Sequence, residues 1–284
     1  MLDEWSYYVK TRISPEAPVP VIAIKSHVNE IGGAGNALRH LKFLSDQKHR
    51  MVTVFGDDNY ATELLALMDG AGYSVDYISD PSRKTTVKKR CYIDDELRFR
   101  LDSEDTHPIS NRIESQLINL IECQLSEFDV ILLSDYSKGV LTENLVALIK
   151  NIATTSGIPI VADPGYNRIH LYGGCTVIKP NLVEWNAYVK SVGDEKTALD
   201  LLFNEGTKHI LITQGPLGVR LVSSTIDVQI PPKRPIEVVD VTGAGDSLAA
   251  ALTLLVGAAR NLLDSLDLLN EIGGKTVQQK RTSL

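Results

Sequence analysis

The segment 240–247, DVTGAGDS, places a carboxylate directly after a glycine-bracketed turn and at the mouth of an apolar run. Gly243 and Gly245 lack a Cβ, so backbone N–H groups can converge around them. If the run that follows, 248–259, is helical, its N-terminus adds about half a positive charge. Converging donors at a helix start form an anion hole suited to the charge on a transferring phosphoryl group. Gly243, Ala244 and Gly245 would build that hole. Asp246 would stand beside it as the base that takes a proton from an attacking hydroxyl. Taken alone, a GxGD string also fits a simple cap on a buried helix.

Other strings carry polar groups at spacings that suit phosphates and sugars. IGGAGNALRHL (31–41) holds Gly32, Gly33 and Asn36 ahead of a helical pattern. KPNLVEW (179–185) sets Asn181 three residues before Glu184, and ITQGPLGV (212–219) holds Thr213, Gly215 and Gly218 in a turn after an apolar run. Five basic residues, Lys88, Lys89, Arg90, Arg98 and Arg100, crowd one short region. Strand alternation would put Lys88 and Arg90 on one face and Lys89 on the other. Arginine there could grip phosphate through its two-pronged geometry, or the charges could simply protect an edge strand. Asp135 could bond a sugar hydroxyl or cap the next turn, and Asp163 is a weaker candidate near phosphates.

The elements that must position these groups alternate. Strands are predicted at 51–55, 75–78, 129–135, 158–164, 176–179 and 209–213, mostly as continuous apolar runs of the kind covered on both faces. A further β-like run, IEVVDV, leads into the DVTGAGDS turn. Helices are predicted at 33–44, 59–71, 109–125, 142–155, 181–189 and 195–204. This rhythm predicts an α/β fold, a mostly parallel, doubly wound sheet with helices on both faces. Two segments break it: VPVIAIK (19–25), and 85–101, a hairpin turning at Asp94 and Asp95. They are predicted to form a small antiparallel β flap, with lid strands at about 11–27 and 84–102, on a single domain over residues 1–284.

Composition bounds the function. The chain has 284 residues and a net charge of −7, which argues against a general nucleic-acid binder. Three cysteines, Cys91, Cys123 and Cys175, form no CxxC pair, and the six histidines show no metal-ligand spacing. The N-terminus lacks a signal-peptide pattern. The apolar run at 248–259 is shorter than the ~20 residues that span a bilayer. No membrane association and a cytoplasmic location are expected.

These motifs, in this order along nearly the whole chain, resemble the ribokinase-like (PfkB) carbohydrate kinases. The resemblance implies ATP and Mg2+ as cofactors and Asp246 as catalytic base over the hole at Gly243, Ala244 and Gly245. It implies that Gly32, Gly33 and Asn36 contact the sugar, and that Asp3 of MLDEW bonds its hydroxyls. Asn181 and Glu184 would organise magnesium and phosphate, Glu184 through water, because magnesium keeps several waters. Thr213, Gly215 and Gly218 would form the nucleotide-side turn, with Asn270 on the adenine-side helix. Within the family, RISPEAPVPV, FRLDSED, SDYSKG and ADPG are similar to the heptose 7-phosphate kinases. That likeness implies a sugar-phosphate substrate, with Arg100, Asp135 and Lys138 among its ligands, and a homodimer paired through the lid. The rival readings are another kinase of the family, acting on a different sugar or a nucleoside, and a truncated non-catalytic remnant. Set against the family pattern, the sequence begins inside the first motif, so a central first strand and a last helix are expected to be missing.

Overall fold

The computed structural model describes residues 1–234 and 238–278. Its largest sheet has six strands in the order β12-β11-β10-β9-β8-β7. The strands are β7 (Ile131–Ser134), β8 (Ile160–Asp163), β9 (Val177–Ile178), β10 (His209–Thr213), β11 (Val219–Val222) and β12 (Asp227–Ile230). β7 to β10 run parallel, while β11 and β12 add an antiparallel edge. Val161, Ala162, Val177, Ile178 and Ile210–Ile212 are almost wholly buried, as expected for strands covered on both faces.

One face is covered by α3 (Asn111–Glu122), α4 (Glu143–Ser156), α5 (Leu182–Val192) and α6 (Glu195–Asn204), whose Leu117, Ile149, Trp185 and Leu202 share a core with Ile178 and Ile210. The other is covered by α7 (Ala244–Gly257) and α8 (Leu266–Val277), with Leu248, Leu252 and Leu269 packed on Val161 and Leu211. Burying each such side chain contributes about 1.5–3 kcal/mol. The helix starts follow from capping side chains: Asp58, Ser110, Thr142, Asn181 and Asp194 each accept a backbone N–H of the first turn.

β3 (Arg50–Gly56) and β4 (Ser74–Asp80) pair in parallel but form a separate two-stranded piece. α1 (Ala34–Leu44) and α2 (Asn59–Gly70) flank it. Between β3 and β7 lies a cavity of about 830 Å3, lined by residues 50–55 on one side and 129–136 on the other. Leu38 and Leu254 close one face, and Leu117, Leu145 and Ile149 the other. Among the described residues no strand bridges this space.

The flap is larger and more mixed than the sequence predicts. β1 (Leu2–Ile13), β2 (Pro20–Ile31), β5 (Val87–Ile93) and β6 (Glu96–Ser103) form one sheet in the order β2-β1-β5-β6. β1 runs parallel to β5, so the sheet is not purely antiparallel. The hairpin turns at Asp94 and Asp95 as expected, both with positive φ. The run IEVVDV does not form a strand where it is described: Ile236 and Glu237 lie outside the described residues, and 238–241 carry no strand. Among the described residues no helix is long and apolar enough to cross a membrane. Cys91 and Cys175 are buried free thiols, and Cys123 is an exposed one.

Candidate active site

The glycine turn leads directly into α7. Gly243 adopts φ 81° and caps α7 with no side-chain hydrogen bond. The first-turn N–H groups of a helix have no intrahelical partner; here Ala244 N donates back to Val241 O at 3.3 Å, and no side chain caps the rest. Asp246 lies in that first turn and is only 7% exposed. Burial pushes its carboxyl up to about 6, against the pull of hydrogen bonds from Tyr136 and Asn36. It is therefore mainly ionised at neutral pH and close to the range in which a base works best.

Both carboxylate oxygens are held. Asn36 Nδ2 donates to Asp246 Oδ2 at 2.6 Å, and the Tyr136 hydroxyl donates to Oδ1. Arg39 Nη2 donates to Asn36 Oδ1 at 2.6 Å, which fixes the amide so that its NH2 faces the carboxylate. Asn36 thus sits in the site, in contact with the base itself.

Lys179, just past β9, is the group the sequence reading missed. Its side chain is 3% exposed and its ammonium pairs with Asp163 at 2.9 Å. The same nitrogen lies 3.9 Å from where a Cβ on Gly245 would stand, so it faces the anion hole. Burial raises the Asp163 carboxyl even beside this cation. The signal was the K of KPN, two positions before a helix-capping pair.

Asn181 and Glu184 form a reciprocal capping box on α5: Glu184 N donates to Asn181 Oδ1 at 2.9 Å, and Asn181 N to Glu184 Oε2 at 2.8 Å. Burial raises the Glu184 carboxyl, and Asp163 adds to the effect. Among the described residues no cluster of three or more His, Cys, Asp or Glu could cage a metal. Two hard carboxylates, Glu184 and Asp163, beside an anion hole still fit a magnesium ion that keeps its waters and is carried in with phosphates. Asn181 bridges to Thr213, whose N–H donates to Pro180 O at 3.0 Å. Gly215 (φ 56°) and Gly218 (φ 85°) complete that turn, and Gln214 N donates to Gly218 O at 2.8 Å. Asn270 on α8 donates to Ile230 O at 2.8 Å beside Gly218, so all six predicted nucleotide-side residues share one end of the sheet.

The predicted sugar side divides. Asp3 is buried and pairs with Arg90 at 2.9 Å, while the Arg90 guanidinium stacks 4.5 Å from the Trp5 ring centre. Gly32 lies against this carboxylate, where a Cβ would overlap it, and Gly33 (φ 58°) caps α1. Asp135 is engaged as a turn anchor: Oδ1 accepts from Ser137 N at 2.7 Å, and Oδ2 from Arg168 Nε at 2.5 Å and the Tyr172 hydroxyl at 2.6 Å. Arg100 is about half exposed and pairs with Asp102, and Lys138 pairs with Glu104 at 2.6 Å. Lys88, in register with Asp3 and Asp102, has no hydrogen bond or salt bridge among the described residues. Burial, then the nearby Lys138 and Arg100, hold its ammonium below the usual lysine range. Three cations therefore converge between the flap and the 135–139 turn.

The comparisons agree with this geometry. The model of the pfkB family carbohydrate kinases matches residues 4–284. The whole chain is 35% identical to the bifunctional protein HldE of Caulobacter vibrioides and 34% identical to that of Hyphomonas neptunium, spanning 59% of each relative's length. Among solved structures, the tetrameric inhibited form of phosphofructokinase-2 from Escherichia coli aligns with a TM-score of 0.77 at 19% identity, over 97% of this chain and 91% of that one. Ribokinase from Thermotoga maritima aligns with a TM-score of 0.71 at 17% identity, over 99% and 92%. The last two show a shared ribokinase-like fold. Matched by the family model over residues 4–284, the chain belongs to the pfkB family of carbohydrate kinases.

Proposed function

We propose that the chain phosphorylates D-glycero-β-D-manno-heptose 7-phosphate at its anomeric hydroxyl, using ATP, to give heptose 1,7-bisphosphate, a precursor of lipopolysaccharide core. The observation that carries the reading is the trio of cations, Lys88, Arg100 and Lys138, across the site from Asp246. An unphosphorylated sugar has no need of them, whereas a distal phosphate does. The likeness of the whole chain to the HldE proteins, over 59% of their length, supports the reading.

The residues then divide the work. Asp3, held by Arg90, receives sugar hydroxyls, with Gly32 allowing the close approach. Asp246 takes the proton from the anomeric hydroxyl as that oxygen attacks phosphorus in line. The N-terminus of α7 and Lys179 stabilise the charge on the transferring group. Bound magnesium would neutralise phosphate charge, held by Glu184 through water. The turn at Thr213, Gly215 and Gly218, with Asn270, holds the nucleotide. The flap face opposite Asp3 exposes Ile24, Phe99 and Leu101, which suits pairing of two subunits through the lid. A cytoplasmic location suits the use of ATP.

A substrate panel tests the reading. Turnover with heptose 7-phosphate should exceed that with unphosphorylated heptose, ribose or fructose, and Lys88→Ala should raise KM for the sugar phosphate with little change in KM for ATP. Preference for an unphosphorylated sugar would overturn the substrate and leave a kinase of another specificity.

A further inference from the structure

Tyr136 has no part in the chemistry described above, yet the 135–139 turn is fixed from several directions. Asp135 is anchored by Arg168, Tyr172 and the Ser137 N–H. Arg168 also donates to Leu141 O. Arg83, itself buried and paired with Asp80 at 2.9 Å, donates to Lys138 O and His107 O, each at 2.8 Å. Ser137 takes φ 57°, an unfavourable conformation for a residue with a Cβ. Gly139 takes φ 75°, and a Cβ there would overlap His107 O. Strain of this kind persists only where surroundings impose it. Besides the Lys138 ammonium, the turn delivers the Tyr136 hydroxyl onto Asp246 Oδ1.

We infer that Tyr136 is a positioning residue for the base: its hydroxyl aims the Asp246 carboxylate and keeps it ionised at neutral pH. The inference rests on the reading of Asp246 as the base. The physical case is direct. Asp246 is buried, and burial favours its neutral form. Of the charged groups that face it, Asp163 on β8 also favours the neutral form, while Lys179 past β9 and Arg39 on α1 favour the carboxylate. Burial raises the Tyr136 hydroxyl well above its usual range, and Asp246, then Asp163 on β8 and Asp3 on β1, add to the effect. The phenol therefore stays protonated across the working range and can only donate to an ionised partner. Each carboxylate oxygen keeps a second lone pair, so a substrate hydroxyl can donate to Asp246 without displacing Tyr136.

The test follows the carboxyl itself. The protein is labelled with 13C at aspartate side-chain carboxyls, the Asp246 signal is assigned by its loss in Asp246→Asn, and its titration is followed by NMR. In Tyr136→Phe the midpoint should move up by about one pH unit from its wild-type position, as expected for loss of a hydrogen bond to a charged group. The acid limb of the kcat profile should move with it. Replacing Tyr136 by 3-fluorotyrosine, a stronger donor of nearly the same shape, should move the midpoint the other way, and it serves if the phenylalanine variant does not fold. A purely structural role predicts no such opposite shifts. An unchanged Asp246 midpoint in the variants overturns the inference. Full turnover by Asp246→Asn would instead overturn the base assignment, so the two failures are distinguishable.

Discussion

The Lys179 ammonium lies 2.9 Å from Asp163 and 3.9 Å from where a Cβ on Gly245 would stand. One buried cation thus serves two partners, a carboxylate that keeps it paired and a helix end that accepts an anion. This relationship joins β8 and the end of β9, successive strands, to α7, which begins only at Ala244.

Lys179→Met should separate the two roles. It leaves Asp163 buried without its cation, and breaking a buried pair costs about 3–5 kcal/mol. Adding Asp163→Leu should restore much of that stability, measured by denaturant unfolding, yet leave turnover low. Recovery of turnover in the double variant would show that Lys179 acts only through Asp163.

Asp246 should leave a signature in two pH profiles. As a base it must be ionised, so kcat should fall as pH drops through about 6. Its effect on stability has the opposite sense. The folded carboxyl is raised from 3.8 to about 6, so the folded state binds the proton more tightly than the unfolded chain. Asp246 therefore destabilises the fold fully above pH 6, and that penalty lifts as pH falls from 6 towards 3.8. The difference in stability between wild type and Asp246→Asn should narrow over that window. A constant difference would contradict the raised carboxyl.

The capping box predicts a divided effect at Glu184. Glu184→Gln keeps a side-chain oxygen to accept the Asn181 N–H but loses the charge that magnesium needs. Melting temperature should change little, while the magnesium concentration for half-maximal rate should rise. An unchanged magnesium requirement would remove Glu184 from the metal's surroundings.

The cavity between β3 and β7 predicts uneven protection. Backbone groups on strand edges that face it should exchange hydrogen faster than those of β8 and β10, which are paired on both sides. Met1 lines the cavity. Uniform protection of β3, β7, β8 and β10 would contradict an open gap.

Much of this architecture was legible locally. The strand at 209–213 and the helix at 195–204 were predicted with the bounds observed, because continuous apolar runs and capping residues mark both ends. β1 was missed because LDEWSYYVKTRI carries polar and aromatic residues on a sheet with one open face, where apolar runs are not needed. β11 and β12, with four residues each, are too short for periodicity to register. At the site, Asp246, its glycines and the 181–184 pair are local signals. Tyr136 is not: it meets Asp246 across 110 positions of sequence, and only the fold brings them together. Asp135 shows the converse, a conspicuous carboxylate beside the site whose lone pairs serve the turn.

The most direct measurement of the central claim is ATP consumption with heptose 7-phosphate by wild type and Asp246→Asn, beside ATP affinity measured by calorimetry. The account predicts a loss of turnover of about 10²–10⁴-fold with nearly unchanged ATP binding. Equal turnover by the two proteins would contradict it.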